Sequence, residues 1–380
     1  MKVRLITSGA ELATLKDAWE QLLAAIPAPG IWQSFEWFDH WLGSCEGDCR
    51  PFVMVAESGG EVRALTPLVM RSGRLAGRRV QNIEGITTDF PNTPVLCRPG
   101  DRQAMCAVAD FLKAGRPHWD RILVRHIDSA QPLVGEFLTC LEKPLPWHFL
   151  ENSNQSPYIP VTGDWDGYFR GLSGNFRRTL KNKSNRLARN GALEIRRYDS
   201  PRNLAEGLEA AFAVAERNWQ GQQGSAVSSP GQAAFYRPFA GQAAQKGQLA
   251  LYVLFVAEEP VAFEYNIVFR ERVFSLKWGY DPRFGEFSPG ALLKEAAHRD
   301  FFEEGVAEID LLGSADFFKL RWTDQIRPYR DLHIHCGDPR LWPVYYYQAA
   351  LLPQLRRARA LKNYLTGSLS KGLPFFSGKG

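Results

Sequence analysis

The stretch from Val273 to Thr323 holds the residues whose types and spacing best suit phosphate chemistry. Val273–Asp281 alternates like a strand, residues 282–287 are rich in loop formers, and Ser288-Pro289-Gly290 then opens a helix. Serine caps orphan amides, proline suits the first helical position, and glycine lets a ligand approach the backbone. Free amides at the positive end of a helix dipole suit a pyrophosphate. Arg283, Gly285, Ser288, Gly290 and Ala291 are therefore candidates for binding a phosphorylated co-substrate, although a plain capped helix reads the same way. Downstream, Lys319 and Arg321 follow the last strand of this unit, where a cation can neutralise an anionic ligand or simply flank a packed Phe318 and Trp322. In the other half, Asp89-Phe90-Pro91-Asn92 either lines a cleft between halves or forms a turn.

Alternating strands and helices must position these groups. In the first half we expect a strand over 3–7 and a helix over 11–26 with apolar residues at helical spacing. A hairpin over 52–57 and 62–71, a strand near 80–84, a helix over 102–114, a strand over 121–125 and a helix over 133–141 follow. The second half repeats this order with a strand over 193–198, helices over 201–219 and 233–245, and a strand over 249–257. Val253–Ala262 echoes Phe52–Val62 at an offset of about 200 residues, which fits an internal duplication as well as a chance likeness of two hairpins.

At 380 residues and 45% hydrophobic composition the chain suits two domains of roughly 100–200 residues each. A net charge of +5 is mild and argues against a dedicated nucleic-acid binder. Two stretches are nonetheless strongly basic. Ser173–Asn190 carries six Lys/Arg and no acid around a stripe of Phe176, Leu180 and Leu187, and Pro339–Gly380 carries seven Lys/Arg and no acid. The first is an amphipathic helix whose cations suit nucleic acid, anionic lipid, an acidic polysaccharide precursor or a nucleotide-linked donor. The second reads as a helical tail packed on the second half, or as a membrane-surface contact. The six cysteines form no Cys-x-x-Cys pair and read as buried thiols of a reducing cytoplasm. No apolar run reaches the roughly 20 residues of a bilayer span, and the opening residues resemble no signal peptide. His333 and His335 have no matching ligand pair nearby, so no metal is expected. The absence of a Gly-x-Ser-x-Gly elbow, a Walker loop and a dinucleotide fingerprint removes the commonest hydrolase, NTPase and dehydrogenase readings.

Tyr280-Asp281, Ser288-Pro289-Gly290, Leu293, Ile309–Gly313, Phe318-Lys319 and Trp322 together resemble the signature of the CelD/BcsL-type acetyltransferases, also described as BioF2-like, within the GNAT superfamily. The Phe-Lys-x-x-Trp piece also resembles the Fem aminoacyltransferases, which are tandem acetyltransferase folds. The likeness covers mainly residues 150–330 by motif and the rest by element order. The usual Gln/Arg-x-x-Gly-x-Gly/Ala loop is altered, since Arg283–Gly290 keeps an arginine and two glycines at other spacings.

The resemblance implies an α/β (α+β) fold of two tandem GNAT-like domains, each a mixed, largely antiparallel sheet flanked by helices. The expected divisions are a degenerate first domain over 1–160, the basic connecting helix over 161–192, the donor domain over 193–338 and the tail over 339–380. It implies acetyl-CoA or another acyl-CoA as co-substrate, and direct transfer to an amine or hydroxyl of a sugar or amino-sugar precursor of an envelope or exported polysaccharide. Glu264, Asp281 and Lys319 are then the catalytic candidates, with Asp89, Asp310, Lys319 and Trp322 facing the acceptor. Strand alternation sets Glu264 opposite Phe263 and Tyr265, toward solvent or toward a cleft. The expected location is cytoplasmic, with peripheral contact at the inner membrane left open. Two other readings stay open: a Fem-like enzyme using aminoacyl-tRNA, and a non-catalytic accessory of polysaccharide synthesis.

Overall fold

A computed structural model describes residues 1–75, 77–114, 119–128, 131–141, 148–218, 227–356 and 358. The first half runs β1 (Lys2–Ile6), α1 (Gly9–Ala13), α2 (Lys16–Ala24), α3 (Phe35–Ser44), β2 (Cys49–Ser58), β3 (Glu61–Leu65), β4 (Leu68–Leu75), β5 (Arg78–Gly85), β6 (Leu96–Cys97), α4 (Arg102–Ala114), β7 (Arg121–Ile127), α5 (Pro132–Leu141) and β8 (His148–Pro160). Then come α6 (Trp165–Gly171), α7 (Gly174–Leu187), β9 (Leu193–Tyr198), α8 (Leu204–Arg217), α9 (Pro230–Gln245), β10 (Leu249–Val256), β11 (Glu259–Phe269), β12 (Arg272–Tyr280), α10 (Pro289–Glu303), β13 (Glu308–Asp310), β14 (Ile326–His335) and α11 (Trp342–Tyr346).

These strands form one sheet of order β6-β3-β2-β4-β5-β7-β14-β8-β13-β12-β11-β10-β9, with β1 pairing β2. Most neighbours are antiparallel, but β5 with β7 and β12 with β13 are parallel, so the same break in pattern recurs in each half. At the centre the halves exchange strands. β8 follows the first half in sequence yet pairs with β13, whereas β14 follows the second half and pairs with β7. The long β8·β14 ladder joins them.

Helices cover both faces of the second half, which is why β10 (LALYVLFV) is buried at every residue. Its odd-numbered positions, Leu249, Leu251, Val253 and Phe255, join the core beneath α8 and α9; Ala250, Tyr252, Leu254 and Val256 join the core beneath α7 and α10. The first of these cores runs into the first half through an aromatic cluster. Trp37 of α3 meets Phe235 and Phe239 of α9 at 5.2 and 5.4 Å between ring centroids, and Phe90 at 5.3 Å. Deep aromatic burial of this kind ties the two halves together.

Two expectations need correction. The cysteines are not all free thiols, because Cys106 on α4 and Cys140 on α5 form a disulfide; their spacing of 34 residues gives no hint of it, and only the packing of α4 on α5 brings them together. The described part of the tail packs on the central ladder rather than on the second half alone, with Tyr345 against Phe149 of β8 and His335 of β14. Residues 357 and 359–380 of the expected tail lie outside the described residues. Among the described residues no helix is long and apolar enough to cross a membrane.

Candidate active site

The loop after β12 is held from two sides. Asp281, 1% exposed, accepts the Arg283 amide at 3.0 Å and pairs with the guanidinium groups of Arg283 at 2.7 Å and Arg217 at 3.1 Å. Burial acts to raise its carboxyl pKa, but the hydrogen bonds and charge of Arg283 outweigh that and hold it below the ordinary value. Arg283 also pairs with Glu259, so the 3₁₀ turn Pro282–Phe287 is clamped to the edge of β11. From the other side α7 docks on the turn. Lys183 donates to the Glu286 carbonyl, Arg186 reaches the Glu286 carboxylate at 2.5 Å, and its guanidinium lies 5.4 Å from the Phe287 ring centroid. The apolar stripe of α7, Phe176, Leu180 and Leu187, is buried as its spacing predicts.

Ser288 then starts α10 in the left-handed region, φ 53° and ψ 52°, with no side-chain cap. Ala291 and Leu292 donate their amides to the Ser288 carbonyl at 3.0 and 3.3 Å and Pro289 has no N–H, which leaves the Gly290 amide of the first turn to a ligand or to water. A Cβ on Gly290 would lie 3.8 Å from Tyr280 and 4.0 Å from Trp278, so the bare backbone forms one wall of an aromatic-lined space.

That space is a cavity of about 240 Å³, lined by Trp278 and Tyr280 of β12, by Gly290 and Lys294 of α10, and by Phe318 and Trp322 of the following loop. It opens where β12 and β13 part. They pair only over Arg272–Phe274 with Glu308–Asp310, after which Leu312 and Gly313 take positive φ and the chain turns away. In β12 the register against β11 slips by one, from Tyr265↔Lys277 to Asn266↔Ser275. Leu276 is the extra residue, and the bulge re-aims the side chains beyond it, so that Trp278 faces the cavity.

A buried polar cluster underlies the cavity. Glu264, 2% exposed, pairs with Lys294 and accepts the Ser275 hydroxyl at 3.2 Å. One turn on from Lys294, His298 is fully buried, its ring 5.0 Å from that of Trp322, with no hydrogen bond to either nitrogen. Burial, reinforced by the Lys294 charge, depresses its pKa far below the usual histidine value and keeps it neutral. Lys319 is 6% exposed and donates to the carbonyls of Leu312 at 2.5 Å and Ser314 at 3.3 Å. Burial first, and the Lys294 charge second, lower its pKa to about 8.

The sequence candidates thus fall into separate places. Gly285, Ser288, Gly290, Ala291 and Trp322 line the cavity. Glu264 lies behind Lys294 rather than in solvent, and Lys319 is a buried loop pin rather than a surface cation. Asp281 and Arg283 hold the turn together. Asp310, fully buried, accepts from Ser156 at 2.9 Å, Leu312 at 3.0 Å and Arg327 at 2.7 Å within the central ladder. Asp89 is exposed in the first half and acts electrostatically on Lys277 and Tyr236 of the second. Sequence reading missed Lys294, His298 and Ser275. The signal was there for two of them, since Lys294, Ala297, His298 and Phe301 fall on one stripe of α10, where two polar residues interrupt an apolar face. Among the described residues no group of three or more His, Cys, Asp or Glu could hold a metal ion.

Comparison with known proteins bears on this same region. Residues 174–320 match the family model described as an acetyltransferase (GNAT) domain. The second half of this chain is thus similar to a GNAT acetyltransferase domain. The match spans the loop, the cavity and the buried cluster, and ends two residues before Trp322. Among solved structures the chain is similar to FemX, at 11% identity and a TM-score of 0.59 over 91% of this chain and 100% of that one. It is also similar to the C-terminal domain of a putative lysylphosphatidylglycerol synthetase from Agrobacterium fabrum, at 13% identity and 0.53 over 88% and 95%. A conserved protein of unknown function from Bacteroides thetaiotaomicron gives 12% and 0.52 over 87% and 100%. At these identities the likeness is one of fold, and it spans both halves. Together with the repeated strand order it fits two similar units that share one largely antiparallel sheet flanked by helices, the second of them matched by the GNAT model. No curated protein matches.

Proposed function

We propose that this chain transfers an acyl group from acyl-CoA to an amine or hydroxyl of a cell-envelope or exported polysaccharide precursor, as a CelD/BcsL-like enzyme in the cytoplasm. The observation that carries this reading is the coincidence, inside the matched acetyltransferase domain, of the unpartnered Gly290 amide at the start of α10 with an aromatic cavity that ends on Lys294. The Gly290 amide and the positive end of α10 bind the donor pyrophosphate, and the cavity takes the arm that carries the thioester. Lys294, paired with Glu264, faces the carbonyl oxygen and stabilises the charge that develops there. In its neutral form, reached above a pKa of about 8, Lys319 has two N–H groups for its two carbonyl partners and a lone pair left to accept the acceptor's proton. The acyl–sulfur bond breaks, an acyl–nitrogen or acyl–oxygen bond forms, and the proton ends on the coenzyme A thiol. Asp281 and Arg283 position the loop. The divisions 1–160, 161–192, 193–338 and 339–380 describe the proposed working parts, with the donor site in the third.

The placement of α7 favours coenzyme A over aminoacyl-tRNA as donor, because Lys183 and Arg186 are engaged by the donor loop rather than left to phosphates of a nucleic acid. Thiol release from acetyl-CoA in the presence of amino-sugar acceptors tests the reading. Turnover and acceptor affinity unchanged in Lys319→Ala would remove Lys319 from the mechanism.

A further inference from the structure

The loop between β13 and β14 carries a side chain for which the donor cavity has no use. Phe318 packs on Trp278, with ring centroids 4.9 Å apart, but Phe317 leaves 81% of its surface in solvent. Exposed as it is, Phe317 stands on backbone that is held in place. Lys319 pins the loop through Leu312 and Ser314, and the Lys319 and Leu320 amides both donate to the Asp316 carbonyl at 2.9 and 3.0 Å. An exposed aromatic ring on a held backbone is a ready platform for a ligand with an apolar face.

Phe317 stands on the rim of an open groove of about 900 Å³ between this loop, the end of β8 and the start of α7. The groove shares Phe176, Arg321 and Trp322 with the donor cavity, so one layer of side chains separates a molecule in the groove from the proposed reacting carbonyl. The Arg321 guanidinium lies 4.0 Å from the Phe176 ring centroid and forms part of that layer. Elsewhere the lining is rich in hydroxyls and amides, among them Thr162, Asn175 and Gln325. It holds one acid, Asp324, and one base, Arg321, so its formal charge is zero.

Aromatic faces beside neutral donors and acceptors match a pyranose ring, whose C–H face is apolar and whose rim is all hydroxyl. A groove without net charge does not favour a polyanion such as RNA. Its volume lies near the top of the roughly 300–1,000 Å³ that small-ligand sites span, which suits a short chain of sugars better than one ring.

We propose that this groove is the acceptor site and that it takes a neutral or amino oligosaccharide, with Phe317 under a sugar ring and Asn175, Asp324 and Gln325 on its hydroxyls. The acceptor amine or hydroxyl enters through the Phe176–Arg321–Trp322 layer, attacks the thioester carbonyl and gives its proton to the departing thiol as above. The role as acceptor rests on the proposed acyl transfer, whereas sugar binding in the groove does not.

Calorimetric titration with cellotetraose, chitotetraose and the glucosamine tetramer, with acetyl-CoA in parallel, separates the two. Phe317 is exposed, so Phe317→Ala leaves the core intact, and Asp324→Ala serves as a second variant. At least one tetrasaccharide is expected to bind wild-type protein and to bind Phe317→Ala at least tenfold more weakly, with acetyl-CoA affinity the same in both. Acetyl-CoA failing to bind while the tetrasaccharide still does would end the transfer reading and leave the groove standing. No binding by any of the three tetrasaccharides, or equal binding by both variants and wild type, overturns the groove assignment, as does tRNA that competes for the groove in wild type and not in Phe317→Ala.

Discussion

Breaking the buried pair of Glu264 and Lys294 separates structural from chemical roles at the site. Their side chains are 3% and 6% exposed, so removing either leaves a charge with little water around it. Uncompensated buried charges cost about 3–5 kcal/mol. Lys294→Met should fall at the lower end of that range, because Ser275 still donates to Glu264 at 3.2 Å. Removing both charges together, as Glu264→Leu with Lys294→Met, should return to within about 1 kcal/mol of wild type, since a well-packed apolar pair avoids the desolvation penalty. Activity should not return with stability, because the developing oxyanion loses its cation; a drop of about 10²–10³ in kcat is the scale for one lost electrostatic donor. Urea unfolding of the single and double variants, beside thiol release from acetyl-CoA, measures both quantities. A loss under about 1 kcal/mol in Lys294→Met, or a double variant as unstable as the single ones, would refute the buried-pair account; full activity in the double variant would refute the chemical one.

Lys319 gives a pH signature. Its folded pKa of about 8 lies below the ordinary value of 10.5, so between those limits the unfolded chain binds more protons and stability rises with pH. The gain is on the order of 3 kcal/mol across that window, and the difference between wild type and Lys319→Met in unfolding at stepped pH isolates it. If neutral Lys319 accepts the proton, turnover should rise with pH to a plateau just above 8, and an acid limb centred below 7 contradicts that role. Replacing Lys183 and Arg186 with alanine should loosen the donor loop, raising the Kd for acetyl-CoA severalfold while costing under about 1 kcal/mol of stability, because Arg186 is exposed and Lys183 only half-buried. Reduction of the Cys106–Cys140 bond should destabilise the first half by roughly 3–4 kcal/mol from the loop it closes and leave acetyl-CoA affinity unchanged, as melting and calorimetry with and without reductant will show.

Features that repeat locally along the chain were legible in the sequence. The stripe of α7, the hairpin of β10 and β11, and the breakers that separate β12 from α10 each record a local period or a turn, and each stands where its pattern puts it. What depends on distant partners was not legible. The exchange of β8 and β14 between halves joins residues far apart in sequence, and nothing in either strand names its partner. Glu264 has the alternation of an exposed strand acid, and only the arrival of Lys294 from α10, 30 residues on, allows it to be buried. Lys319 likewise has a surface residue's composition, yet the left-handed turn at Leu312 and Gly313 presents carbonyls that draw its ammonium inward; a Cβ on Gly313 would stand 2.9 Å from it.

The central claim is that the start of α10 binds the phosphates of an acyl-CoA. Calorimetric titration of wild type and Gly290→Glu with acetyl-CoA and longer acyl-CoA thioesters tests it most directly. The glutamate fits the open side of the first turn, and its charge suits the helix start, so the variant should stay folded while its carboxylate occupies the phosphate position. Micromolar binding by wild type that is lost in a folded Gly290→Glu is the predicted result. Wild-type protein that binds none of the thioesters, or a variant that binds them as tightly as wild type, would contradict the account.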